Sequence, residues 1–171
     1  RISTFAIENW LAEQSNLEDA LSWVYEYGGH YFYTLSLQGS NKTFTYDLST
    51  GKWHERAYLN DDGTLSRHRV STSCFSNGVT YCGDYENGNI YILDENNYTD
   101  NGHPIKTLFT LPHINNNNMR MTLDCVQLVC QSGVGLEGGN APKWSMSVSR
   151  DYGNTFSLQI FSNSEVVRWQ N

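Results

Sequence analysis

The stretch Thr43–Glu55, TFTYDLSTGKWHE, constrains this chain more than any other. It reads as strand, tight turn and strand. Thr43, Phe44, Thr45 and Tyr46 are β-branched or aromatic, the residue types that fill a half-buried pleated surface. Asp47, Ser49 and Thr50 supply oxygens that bond nearby backbone N–H groups, and Gly51 tolerates positive φ. Trp53 then restarts an apolar strand. Tyr46, Asp47, Gly51 and Trp53 together form the pattern of an outer hairpin in a propeller blade.

The rest of the chain follows the same grammar. Ile2–Gln14 carries Ile2, Phe5, Ala6, Trp10 and Leu11 at helical spacing, with Ser3 or Thr4 as N-cap. Strands are expected at Ser22–Tyr27, His30–Leu37, Thr43–Leu48 and Lys52–Ala57, the content of one blade. A second set is expected at Arg67–Phe75, Val79–Gly83, Ile90–Asp94 and Ile105–Leu111. Tyr46-Asp47 and Leu93-Asp94 close equivalent strands 47 residues apart, inside the period of propeller blades. Further strands are expected at Thr122–Gln131, Trp144–Ser149, Phe156–Phe161 and Val166–Trp169, with exposed loops at Asn115–Asn118 and Gly133–Pro142. The expected fold is therefore all-β: about three four-stranded, antiparallel, propeller-like sheets and a short N-terminal helix. Within one β-rich domain, residues 1–20 form the helical lead-in, 21–58 and 66–112 two blade-like units, and 119–171 a third sheet.

Composition narrows the function. Aromatic residues make up 13% of the chain, which suits sheets buried on one face. The net charge of −7 argues against nucleic-acid binding, which needs clustered cations to displace counterions. No stretch approaches the ~20 apolar residues of a membrane helix. The four cysteines, Cys74, Cys82, Cys125 and Cys130, lack zinc-site spacing. A two-residue Asn77-Gly78 turn would set Cys74 opposite Tyr81, with the Cys74 and Cys82 thiols on opposite faces; a three-residue turn would bring them together. Free, mostly buried thiols are the expectation, in keeping with assembly in a reducing cytoplasm.

Several residues invite a chemical reading. Ser149, Asp151, Gly153, Thr155 and Phe156 fit the Asp-box pattern SxDxGxTF, a hairpin of sialidases and other propellers. Asp151 is placed to accept backbone N–H bonds and Gly153 to adopt positive φ, so the motif speaks for a structural turn more than for catalysis. Arg56, Arg67, Arg69 and Arg120 are the arginines available for a sialidase-like triad, but no Tyr and Glu accompany them. His30, His54, His68, His103 and His113 have no partner at ligand spacing. Trp53-His54-Glu55-Arg56 reads as a solvent-facing edge with local ion pairing. Asp61 and Asp62 with Asp84 and Glu86 read as turns, since DYENGN lacks the alternating oxygens of a calcium loop. Arg67, His68 and Arg69 make a weak phosphate site at most. No catalytic, cofactor or metal residues are assigned.

Taken in order, these blocks resemble a known family. They are Asp19-Ala20, Gly29-His30-Tyr31-Phe32-Tyr33, Thr43-Phe44-Thr45-Tyr46-Asp47 and Thr50-Gly51-Lys52-Trp53-His54-Glu55-Arg56. Next come Gly83-Asp84-Tyr85-x-x-Gly88-x-Ile90-Tyr91-x-Leu93-Asp94 and Tyr98-Thr99-Asp100-Asn101-Gly102-x-Pro104-Ile105. Gly133-Val134-Gly135 and the Asp-box hairpin complete the set. The order resembles the phage stabilisation proteins of short-tailed bacteriophages, also called packaged-DNA stabilisation proteins or tail accessory factors. The resemblance implies a C-terminal portion of a longer protein, consistent with a chain that opens on Arg1.

It further implies a non-enzymatic virion protein, made in the bacterial host cytoplasm and located in the tail. Its copies would form a homo-oligomeric ring below the portal, sealing in packaged DNA. They would meet the portal, the adaptor ring and the tail needle or fibre, with no cofactor, membrane or sequence-specific nucleic-acid partner. Two other readings stay open: a carbohydrate-binding or sialidase-like propeller domain, and a kelch-like interaction module.

Overall fold

A computed structural model describes residues 2–94, 96–117, 119, 121, 122, 125–128, 144–162 and 166–168. The chain is all-β, built of antiparallel propeller-like sheets with one short N-terminal helix. It divides into two compact units, residues 1–107 and 108–171.

The first unit opens with helix α1 (Phe5–Ala12). Thr4 is its N-cap: the backbone is extended there and its hydroxyl accepts from the Ile7 N–H. Ser3 reaches forward to Glu8, closing the first turn. Five strands follow in sequence order and pair in sequence order: β1 (Ala20–Tyr27), β2 (His30–Leu37), β3 (Lys42–Asp47), β4 (Lys52–Leu59) and β5 (Leu65–Arg67). A second sheet joins β6 (Val70–Ser76), β7 (Val79–Asp84) and β8 (Ile90–Ile92). A two-stranded hairpin, β9 (Thr99–Asp100) with β10 (His103–Pro104), closes the unit.

The strands curl into a half-barrel, and its core lies between the first two sheets. Trp23 and Tyr25 of β1 meet Val70 of β6 and Cys82 of β7, with Phe32 and Leu93 packed against them. The period-2 pattern of HYFYTLSL and TFTYD does something less common on this face. It buries hydroxyls: Thr34, Ser36, Thr43 and Thr45 are all at most 1% exposed. Register explains how this is tolerated. Thr34 lies opposite Thr45 and Ser36 opposite Thr43, and the oxygens bond each other at 3.0 and 2.9 Å. Each buried polar group thus has a partner. The aromatic residues between them face the other way. There Phe44 meets Trp10 of α1 edge-on at 4.7 Å, and Tyr46 lies 5.2 Å from Trp53, whose indole N–H donates to the Ile2 carbonyl.

The second unit contains β11 (Cys125–Gln127) paired with β14 (Val166–Arg168), and β12 (Trp144–Met146) paired with β13 (Ile160–Ser162). All pairings in the described residues are antiparallel.

Several expected boundaries differ. The strand expected over Arg67–Phe75 is two strands, because the chain turns a corner at His68-Arg69 and passes from the first sheet to the second. The first sheet consequently has a fifth strand, and the second has three. Ile105–Leu111 is not a strand: past the Ile105 N–H, which donates to Tyr98, the segment is exposed and unpaired among the described residues. Of Trp144–Ser149 only the first half is strand, and of Phe156–Phe161 only the end. The loop at Gly133–Pro142 lies outside the described residues, as does most of the strand expected after Leu128. Asn77 (φ 52) and Gly78 (φ 79) form the two-residue turn, which sets Cys74 opposite Tyr81 and Cys82 opposite Ser73. Both thiols are free, Cys82 buried but Cys74 exposed.

The hydroxyl ladder makes a quantitative expectation. Thr34→Val keeps the shape but strands the Thr45 hydroxyl in a dry site, and urea denaturation should show a loss of about 1–3 kcal/mol. Thr34→Val with Thr45→Val removes both partners and should recover most of that loss. A double variant no more stable than the single one would show that the pairing is not what holds this face.

Candidate functional site

Three turn-forming aspartates organise the polar chemistry. Asp47 ends β3. Its carboxylate accepts from the Ser49 N–H at 2.8 Å, the Thr50 hydroxyl at 2.8 Å and the His30 ring at 2.9 Å, while its carbonyl takes the Gly51 N–H. Burial works against its charge, yet these bonds outweigh it and hold the pKa at about 2. Asp151 does the same in the second unit. Both its oxygens are used: the Thr155 hydroxyl and N–H and the Ser149 hydroxyl donate to it, and its pKa is also about 2. Ser149 in turn accepts from the Gly153 N–H, and Gly153 has φ 91. Phe156, the last residue of the motif, is exposed.

Asp84, at the end of β7, is the third and the most connected. Its side chain is fully buried. It receives Arg69 through two nitrogens, at 2.7 and 3.2 Å, and the Glu86 N–H at 2.7 Å. The Tyr91 hydroxyl lies 3.0 Å from it. Burial opposes its ionisation, but the Arg69 pair and these donors outweigh burial and lower its pKa. Arg69 also holds Glu86 and lies over the Tyr58 ring at 4.9 Å. Burial disfavours its charge, and the Asp84 bond more than compensates, raising its pKa.

This cluster floors an open groove of about 610 Å³, bordered by Asn60, Asp61, Asp62, Asn87, Asn101 and His103. The acidic residues singled out in the sequence do meet here, but each is occupied. Asp62 takes the Thr64 hydroxyl and N–H, Glu86 pairs with Arg69, and exposed Asp61 lies 3.4 Å from His103. Amides and carboxylates give the groove hydrogen-bonding capacity. Of its two rings, Tyr58 is buried and packs edge-on against His103 at 5.4 Å. Among the described residues no group of three or more His, Cys, Asp and Glu is arranged to hold a metal ion.

The remaining candidates fall into separate environments. Arg56 is not on a solvent-facing edge. Arg56 lies opposite buried Thr43, and alternation turns it inward, 5.5 Å over both the Tyr25 and Phe32 rings. Glu55 does carry the expected local ion pair, with Lys42 at 3.0 Å. Arg67 is buried and stacks on Tyr85 at 3.5 Å. Arg67, His68 and Arg69 therefore form no free basic patch, and Arg120 lies outside the described residues. His54 is exposed, and His113 stacks on Tyr152 at 4.9 Å.

His68 and Cys82 line one small core cavity of about 10 Å³. A Cys and a His around one cavity would suit a nucleophile and its base, but the electrostatics are reversed. Burial pushes the thiol up to about 11, against the pull of Arg56. Surface area leaves His68 half-buried, but the protein packed round its ring, helped by Arg56, pushes it down to about 4. Both groups stay neutral at pH 7, the opposite of a thiolate–imidazolium pair.

Sequence reasoning missed the Arg69–Asp84–Glu86 cluster and the inward Arg56. The one available signal was Asp84 itself, which repeats the strand-ending Asp of the first sheet.

Two measurements follow. Asp84→Ala strands the buried Arg69 charge and should cost about 3–5 kcal/mol in denaturant melts, whereas exposed Glu86→Gln should cost less than about 1 kcal/mol. The pH dependence has a definite sign. Between pH 6.5 and about 4 the unfolded chain binds a proton at His68 that the folded chain refuses, so stability falls as pH falls through this window. Asp47 and Asp151 hold their contribution above 3.8 and lose it as pH falls toward 2. Melting temperature against pH should decline from 6.5 downward, and His68→Gln should flatten the upper part of that decline. Comparison of the chain with protein-family models, curated proteins and solved structures finds no match in any of the three.

Proposed function

We propose that this chain is an assembly module of a bacteriophage tail or neck, one copy of a ring below the portal that helps seal packaged DNA and dock the needle or fibre. The observation that carries this reading is the amount of apolar surface the fold leaves uncovered. On the second sheet, Ile90 is 73% exposed, and Ile92, which shares its face, lies open as well. Ile105, Leu108, Phe109 and Leu111 follow one another in solvent, Leu108 being 80% exposed. Scattered apolar residues are normal on a surface, but contiguous ones mark an interface. The strong polar groups meanwhile serve the turns. The ordered motif resemblance to phage stabilisation proteins says which assembly to expect.

The net charge of −7 fits a ring that repels DNA and lets it slide. A second reading, a glycan-binding surface, is favoured by the amide-lined groove beside Asn60, Asn87 and Asn101. Electron microscopy of the chain mixed with portal and adaptor rings separates the two. The assembly reading expects density added to the ring at stoichiometric protein. Absence of ring-bound density, together with saturable binding on a glycan array, would replace it with the second reading.

A further inference from the structure

We propose that the copies join by strand donation: Ile105–Leu111 of one copy lies along the free edge of β8 in the next and supplies the strand that the second sheet lacks. This rests on the assembly reading above and names its contact. In the first sheet, β3 is continued by β4. At the corresponding place 47 residues on, β8 ends the sheet, and no described strand pairs with its outer side. An edge of this kind presents a row of unpaired N–H and C=O groups, a template for another chain. The face beside it is apolar, with Tyr81 opposite Ile92 in register and Ile90 next along the strand.

The same chain holds a segment that fits. Ile105, Thr107, Phe109 and Leu111 alternate with Lys106, Leu108 and Thr110, the period of a strand. Beyond its first residue the segment makes no backbone hydrogen bond to the described residues, and its apolar side chains are exposed. The charges are complementary. Lys106 is the only charged residue from 105 to 111, and exposed Asp94 follows β8. Adding a strand to an open edge takes affinity from the backbone and specificity from alternate side chains. Each copy both offers an edge and donates a strand, a head-to-tail contact of the sort that closes into rings.

The test starts from Cys74→Ser, which removes the exposed native thiol, mixes two variants of it that each add one cysteine, Ile92→Cys and Phe109→Cys, and treats them with a short bis-maleimide; the Cys74→Ser chain sets the background of the remaining thiols. A cross-linked pair containing one of each variant is expected, because only a contact between copies can form it. Ile90→Lys in the first variant should weaken that product by about tenfold or more, the loss expected at a well-placed interface residue. Circular dichroism matching the parent confirms that this variant is folded. If light scattering shows oligomers but no mixed cross-link forms, strand donation is wrong and the assembly reading stands. If neither oligomers nor cross-links form, both fall. A cross-link found only within a chain carrying both cysteines would place the segment on its own β8 and would also overturn the proposal.

Discussion

The fold depends on one interaction repeated: an aspartate carboxylate accepting the N–H groups of the turn that follows it. Asp47 and Asp84 do this at the ends of β3 and β7, and Asp151 does it in the loop after β12. A strand end otherwise leaves several backbone donors without partners, and a turn that satisfies them has one geometry. The consequence reaches past the turn. Because side chains alternate with period 2, fixing the turn at Asp47 fixes which residues of β3 and β4 face inward. It puts Thr43 and Thr45 into the hydroxyl ladder and Arg56 beneath Tyr25 and Phe32. A slip of one residue would bury Phe44 and Tyr46 and expel the threonines, leaving Thr34 and Ser36 with no oxygen opposite.

How much of this is legible in the sequence follows from the range of each interaction. The Asp-box turn, the Thr4 cap and the Asn77-Gly78 turn are settled by residues a few positions apart, and their chemistry can be read directly. Asn77-Gly78 still leaves two registers open, because a turn dipeptide does not show the length of its loop. The corner at His68-Arg69 is hidden. Arg67–Phe75 has one continuous β-like pattern, and what breaks it is tertiary: Arg69 turns to meet Asp84, fifteen positions away along the chain. Arg56 is misread for a similar reason. A cation in a charged run reads as solvent-facing until one knows that two rings lie beneath it. Ile105–Leu111 is the converse case, with a strand's pattern and no strand beside it.

These features divide the molecule by task. Its titratable groups are spent on holding shape: Asp84 on Arg69, Asp47 on a turn and on His30, while His68 and Cys82 stay neutral inside the core. Large apolar side chains lie open in several places, among them Ile90 and Ile92 of β8 and Ile105, Leu108, Phe109 and Leu111 after β10. On the reading proposed above, sheets locked at their turns would hold the free edge of β8 in place for a strand from another copy.

Hydrogen exchange measured before and after assembly addresses that division most directly. Amides in the Asp-locked turns, at Ser49, Glu86 and Thr155, should be protected in both states. Amides of Ile90 and Ile92, which face away from β7, and of residues 106–110 should exchange quickly in the isolated chain and slow together when copies associate. Unchanged exchange at those two segments in the assembled state, or fast exchange at the locked turns in either state, would contradict this account.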